Sequence, residues 1–238
     1  MTLEEWAAEP EPQTVTDVIA RMHSLLTVLP EQDGLADFTR MYLDVTTGVQ
    51  EAAGSSMFRN PVYLERLDVV FANLFFSAAV ASVNSPDTVP RSWKPLFENR
   101  ERQDVAPLQF ALSGMNAHIN RDLPVALVTT FRELGVDYED NGPEHEDFQA
   151  VNQLLRQVED SVKQRLVTGL LGLLDRALHD LDDRIAMWKI EKARNAAWAH
   201  GHALWDLRDT GGVAGNFLDA LDGLVGFAGR GVLLRLPL

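Results

Sequence analysis

Five polar residues fall within seven positions at the end of an apolar run: Asn116, His118, Asn120, Arg121 and Asp122, in the stretch Ala111–Pro124. His118 and Asp122 are four apart. On a continuous helix that spacing puts an imidazole and a carboxylate on one face, where they can share an ion or a proton. As metal ligands the two suit zinc, iron or manganese. As an acid–base pair, the carboxylate orients the imidazole and raises its basicity. Asn116 and Arg121 would then polarise a substrate and Asn120 would bind it. A structural reading competes. Asp122 stands two residues before Pro124, where an N-cap carboxylate is expected. The residue before a proline also avoids the helical region. Asp122 therefore has two rival jobs, and the sequence leaves both open.

Two further groups attract attention. Trp188, Glu191, Asn195, Trp198, His202, Trp205 and Asp209 recur in steps of three and four and so form one helical stripe. One reading is a pocket wall, with Trp198 and Trp205 holding the apolar part of a ligand. The other is an interface in which indoles cover a loop. Earlier in the chain, Arg66, Asp68 and Asn73 interrupt an apolar helix. A buried Asp68 needs a partner, which is an arginine such as Arg66, a helix terminus or a metal, and Asn73 would face substrate. Convergence of His118, Asp122, Asp68 and His202 or Glu191 would give one divalent metal site built from three helices of a bundle. His145 and the acidic run after His179 read as solvated helix ends, and His23 and His200 as peripheral.

These residues need helices to position them, and helical periodicity pervades the chain. Thr14 or Thr16 can cap a helix reaching Leu29. A second is expected over 35–53. Asn60-Pro61 starts a third, to about Val83, apolar almost all round and so central. Pro107 opens the helix that carries the polar cluster, and Pro124 an adjoining one to Leu134. Helical regions follow over 144–174, with a break near Gly169 or Gly172, over 180–208, and over most of 213–234. The expected fold is all-α, a single-domain bundle of about seven to nine helices over 14–238, preceded by a loose polar arm over 1–13 that Trp6 can anchor.

Composition narrows the chemistry. The chain has 238 residues, 21 Lys and Arg against 35 Asp and Glu, a net charge of −14 and no cysteine. Thiolate nucleophiles, disulfides and cysteine-based zinc sites are excluded, so any metal must use His and carboxylates. The acidic balance argues against a nucleic-acid partner. It gives no sign of a basic membrane-binding surface, and the longest apolar runs fall short of the roughly 20 residues that span a bilayer. The acidic N-terminus lacks a signal-peptide pattern, which makes a cytoplasmic location the expectation. No phosphate loop, nucleophile elbow, HExxH or EF-hand pattern is present.

Leu67-Asp68 with Phe71, Trp93 with Pro95-Leu96-Phe97, Gly114–Pro124 with its NAHIN-x-DL core, and Arg194 with Ala197-Trp198 and Trp205 resemble a family of bacterial helical proteins of unknown function. That resemblance spans about 35–234 and implies an all-helical fold. More remotely, His118-x3-Asp122 followed by a proline, and His202 close to Trp205-Asp206, are similar to helical zinc-dependent phospholipase C and P1-type nucleases. That likeness implies at most one metal here, because the amino-terminal Trp ligand of those enzymes and their full histidine set have no counterpart. The expectation for function is an enzyme acting on a small organic or ester substrate. One route is hydrolysis by a metal-activated water. The alternatives are a metal-free lyase, isomerase or cyclase using His118 as acid–base, or a non-catalytic module binding a small molecule.

Overall fold

Prolines and capping side chains set most helix boundaries in the computed structural model, which describes residues 1–52, 57–169 and 190–235. The helices are α1 (Leu3–Ala7), α2 (Val15–Val28), α3 (Gly34–Ala52), α4 (Pro61–Asn84), α5 (Lys94–Asn99), α6 (Pro107–Ala117), α7 (Leu123–Leu134), α8 (Pro143–Gly169), α9 (Ile190–Leu207) and α10 (Val213–Val232). A short 3-10 turn, Pro86–Thr88, follows α4. Among the described residues there is no strand, so the fold is the all-α bundle expected from periodicity. Thr14 begins α2 with a reciprocal capping box to Asp17. Asn60 caps α4 through the Tyr63 amide, with Pro61 at the first helical position. The break expected at Gly172, the helix start near Asp180, Trp188 and the His179 run lie outside the described residues.

The amino-terminal segment is docked instead of loose. Thr2 and Glu5 form a capping box on α1. Trp6 is fully buried, its indole N–H reaching the Arg21 carbonyl at 3.3 Å and its ring edge-on to Phe76. Arg21 in turn donates to the carbonyls of Glu9 and Pro10. Asn73, expected at a substrate site, donates its amide to the Pro12 carbonyl at 3.0 Å and so clamps the same segment.

Helix α4 is the central element, packed against α1, α2, α7 and α8. By length and composition it is apolar enough to cross a membrane, which the reading by uninterrupted runs missed because Asp68 and Asn73 break its apolar sequence. Tyr63, Leu67, Val69, Ala72, Phe75 and Phe76 of this helix are buried in the core. Helix α3 packs on α6 and α8, α9 on α7, and α10 on α6.

The stretch from Pro107 to Leu134 is one continuous helix containing a π turn, His118–Asp122. Pro124 explains the turn. Its missing N–H and its ring are incompatible with an ordinary α register. Across 118–122 the register widens, and the Leu123 N–H reaches the His118 carbonyl five residues back. Leu123 is helical (φ −60°, ψ −43°) despite preceding the proline.

Candidate functional site: a buried histidine–aspartate pair

The π turn resolves the competition over Asp122. Its side chain makes no cap bond to α7. It points inward, fully buried, and takes three donors. Oδ2 accepts from the Trp93 indole N–H at 2.9 Å and lies 3.1 Å from His118 Nδ1. Oδ1 accepts from the Arg121 guanidinium at 2.9 Å. Because the helix continues through the turn, positions 118 and 122 stay on one face and the two side chains meet. Arg121 also lies 3.7 Å from Asp222 of α10. Asp222 accepts from the backbone N–H groups of Arg91 and Ser92 at 2.7 and 3.0 Å. A chain of hydrogen bonds and one longer ion pair thus ties the π turn to the loop that carries Trp93.

His118 is 1% exposed and sits among aromatic rings. Phe71 stacks on it, nearly parallel (5°), with centroids 3.5 Å apart. Tyr42 meets it edge-on at 4.7 Å, and Phe38, Phe75 and Trp93 surround the contact. Burial pushes the imidazole pKa below its usual value, against the raising effect of Asp122. His118 is therefore neutral near pH 7. A carboxylate can only accept from Nδ1, so Nδ1 carries the proton and Nε2 is left with a lone pair. That Nε2 is buried and has no hydrogen-bond partner.

Beyond Tyr42 the site becomes polar. Asp68 keeps an exposed surface, yet protein packed around it pushes its carboxyl up to about 6, with Arg194 opposing the rise. Burial, with Asp68 and Asp122 adding to it, raises the Tyr42 hydroxyl pKa well above its ordinary value. Tyr63 is raised too, mainly by burial, and its hydroxyl has no partner. Asp68 thus acts on Tyr42, next to His118, and also on Arg194 of α9.

The other sequence candidates are placed elsewhere. The Asn116 amide donates to the Val225 carbonyl at 2.9 Å, and Asn120 donates to the Asn116 carbonyl at 3.1 Å. Asn116 thereby holds α10 against the π turn, and Asn120 bonds back onto Asn116. Trp198 donates to Asp140 at 2.8 Å and packs against Tyr138, His145 and Phe148. Trp205 packs near Phe131 and Tyr138, with the Arg208 guanidinium over its ring. Asn195 accepts from Gln149 and Asn152 of α8. The described part of the Trp stripe is therefore an interface with α8 and the segment before it. Arg66 pairs with Glu133 instead of Asp68.

The four proposed metal ligands do not assemble. His202 pairs with Asp206 at 3.3 Å, and among the described residues no three His, Asp or Glu side chains gather to hold an ion. His118 Nδ1 and Asp122 are committed to each other, and Asp122 to two further donors, so this donor set does not fit a metal. Trp93, Phe71, Tyr42, Arg194 and Asp222 had no role assigned from sequence. The available signals were an arginine among Ile190, Ala193 and Ala197, and two aspartates, Asp219 and Asp222, in the Leu- and Gly-rich α10.

The fold and this geometry define an all-α protein with a buried, oriented histidine. A family model matches residues 15–235, and the chain belongs to that family, a family of unknown function (DUF5995). No curated protein and no solved structure matches the chain.

Proposed function

We propose that this protein is an enzyme that uses His118 as a general base on a small organic substrate, without a metal. The observation that carries the reading is the buried His118–Asp122 pair with an unpartnered Nε2 beside aromatic rings. A neutral imidazole, fixed in one tautomer by a carboxylate, is a competent base near neutral pH. Nε2 would take a proton from a substrate carbon or hydroxyl. The resulting imidazolium is stabilised by Asp122, itself held by Arg121 and Trp93. Returning the proton to a leaving group gives an elimination, and returning it to another carbon gives an isomerisation or cyclisation. Phe71 and Tyr42 supply apolar contact. The likeness to zinc-dependent phospholipase C and P1-type nucleases supports metal-assisted hydrolysis less well, since that route needs ligands beyond His118 and Asp122.

Exchange of substrate protons for deuterium in heavy water, followed by mass spectrometry over a panel of small carbonyl and hydroxy compounds, tests the base directly. The expected result is exchange that His118→Asn abolishes while the fold is kept. Nitrogen-15 NMR of the histidine rings adds a check that needs no substrate. An Nε2-protonated tautomer for His118, or exchange undiminished in His118→Asn, refutes the proposal.

A further inference from the structure

Helix α10 carries two apolar faces, and the fold uses one of them. Leu221, Val225, Gly226 and Gly229 are buried toward α5, α6 and the loop at Arg91. On the outer side Leu224 is 70% and Phe227 78% exposed, with Val213 and Leu234 also open to solvent. Among the described residues no other helix exposes more than one large apolar side chain. A patch of this kind marks an interaction surface.

Its spacing says what kind of partner fits. Phe217, Ala220, Leu224, Phe227, Gly231 and Leu234 follow one another in strictly alternating steps of three and four. That is a 3.5-residue repeat, the narrow seam on which a second helix packs. The stripe that faces a globular core or a lipid surface is wider.

Charge then selects the second helix. Asp219 and Arg230 lie on the same flank of the seam, one in each half of α10, and both are exposed. Among the described residues neither side chain has an ion-pair partner. Arg91 lies across Gly223 but is paired with Asp222 at 3.9 Å, so Asp219 is the charge left over in that half. When one α10 is reversed against a copy of itself, the acidic half of each faces the basic half of the other. The register that sets Leu224 opposite Phe227 also sets Ala220 opposite Gly231 and Phe217 opposite Leu234. Large residues meet large and small meet small, and Arg230 comes within about two residues of Asp219 in the other copy. A parallel pair would turn that flank toward Ala214, Leu221 and Ala228, which carry no charge.

We infer that α10 is the surface through which two copies of this chain associate, paired antiparallel about a two-fold axis. The net charge of −14 opposes unspecific contact between copies, so the association rests on this seam.

Size exclusion with light scattering, on the full chain through the micromolar range, tests this. The expected result is twice the mass of one chain. Leu224→Glu and Phe227→Glu should each raise the dissociation constant at least about thirty-fold, since a two-fold pair carries the change twice. Neither should lower the melting temperature of the monomer at high dilution. Should a glutamate variant fail to fold, Phe227→Ser should still weaken the dimer at least about ten-fold. Asp219→Arg or Arg230→Asp alone should weaken it about three- to ten-fold, and the two together should restore it. A protein that stays monomeric through that range, a dimer indifferent to the apolar-face variants, or no recovery in the charge-exchanged double variant would overturn the inference. So would a fall in the monomer's melting temperature on these substitutions, because the face would then be covered from within the chain. Binding to phosphatidylglycerol vesicles by a monomer, abolished in Phe227→Glu, would overturn it as well.

Discussion

Replacing Asp122 by asparagine changes one oxygen into an NH2 group and removes one charge. Three donors converge on the native carboxylate: Trp93 Nε1 and His118 Nδ1 on Oδ2, Arg121 on Oδ1. An amide cannot satisfy all three. With its oxygen toward Trp93 and His118, its NH2 meets the Arg121 guanidinium. With its oxygen toward Arg121, its NH2 meets the indole N–H, and His118 must switch its proton to Nε2. Either way at least one buried donor loses its acceptor, and Arg121 loses its nearest counter-charge. A hydrogen bond to a charged group contributes about 1.5–3 kcal/mol, and breaking a buried pair about 3–5 kcal/mol. Arg121 keeps Asp222 at 3.7 Å, so the lower end applies, about 3 kcal/mol. For a chain of this size that lowers the melting temperature by about 6–12 °C. Calorimetry or circular dichroism measures it, and histidine NMR reports the tautomer. An ordinary N-cap loss would cost about 1 kcal/mol and leave the His118 tautomer alone. A shift under about 3 °C with an unchanged tautomer would refute the account of Asp122 as the hub of the site.

Other perturbations probe the packing and charge around that hub. A Cβ at Gly114 would land inside the Phe38 ring, so Gly114→Ala should destabilise by about 1–3 kcal/mol in urea unfolding, and near-wild-type stability would contradict the close α3–α6 contact. At Gly226 the obstacle is the Arg91 backbone carbonyl, which cannot rotate away; Gly226→Ala should displace α10 and loosen the Asp222 bonds to Arg91 and Ser92, read as faster amide exchange at those two positions. Trp6→Ala removes a fully buried indole and should cost about 3–5 kcal/mol, whereas a free arm would lose almost nothing. The His118 pKa is lowered by burial, so the unfolded chain binds its proton first. Stability from this group is fully present above the unfolded value of 6.5 and declines as pH falls below it toward the folded pKa; His118→Gln should flatten that part of the stability–pH curve, and an unchanged curve would count against a neutral buried imidazole.

Much of this architecture is legible in local pattern. Thr14, Asn60 with Pro61, and Pro107 mark helix starts because capping and proline chemistry act within a turn of the chain. The apolar run from Val69 announces a central helix because burial follows hydrophobic surface. The His118–Asp122 spacing announces a pair. The proline two residues on reads most simply as a break, and that reading fails because a π turn absorbs the missing N–H, a register change that no local propensity signals. Asn116 belongs to the same polar cluster in sequence, yet it binds α10, more than a hundred positions away, while Asn120 bonds back onto Asn116. Nothing near them in the chain separates a helix-tying amide from a substrate-binding one. Residue types and short spacings alone determine an all-α chain without thiol chemistry and with a histidine–carboxylate pair at 118 and 122, since helices and caps are made by neighbours. Only the tertiary structure decides that Trp93 and Arg121 hold Asp122, that Phe71 covers His118, and that Asp68 and Arg194, far apart in the chain, act on each other. Those relations depend on which helices meet, and burial and charge pairing are properties of the packed chain.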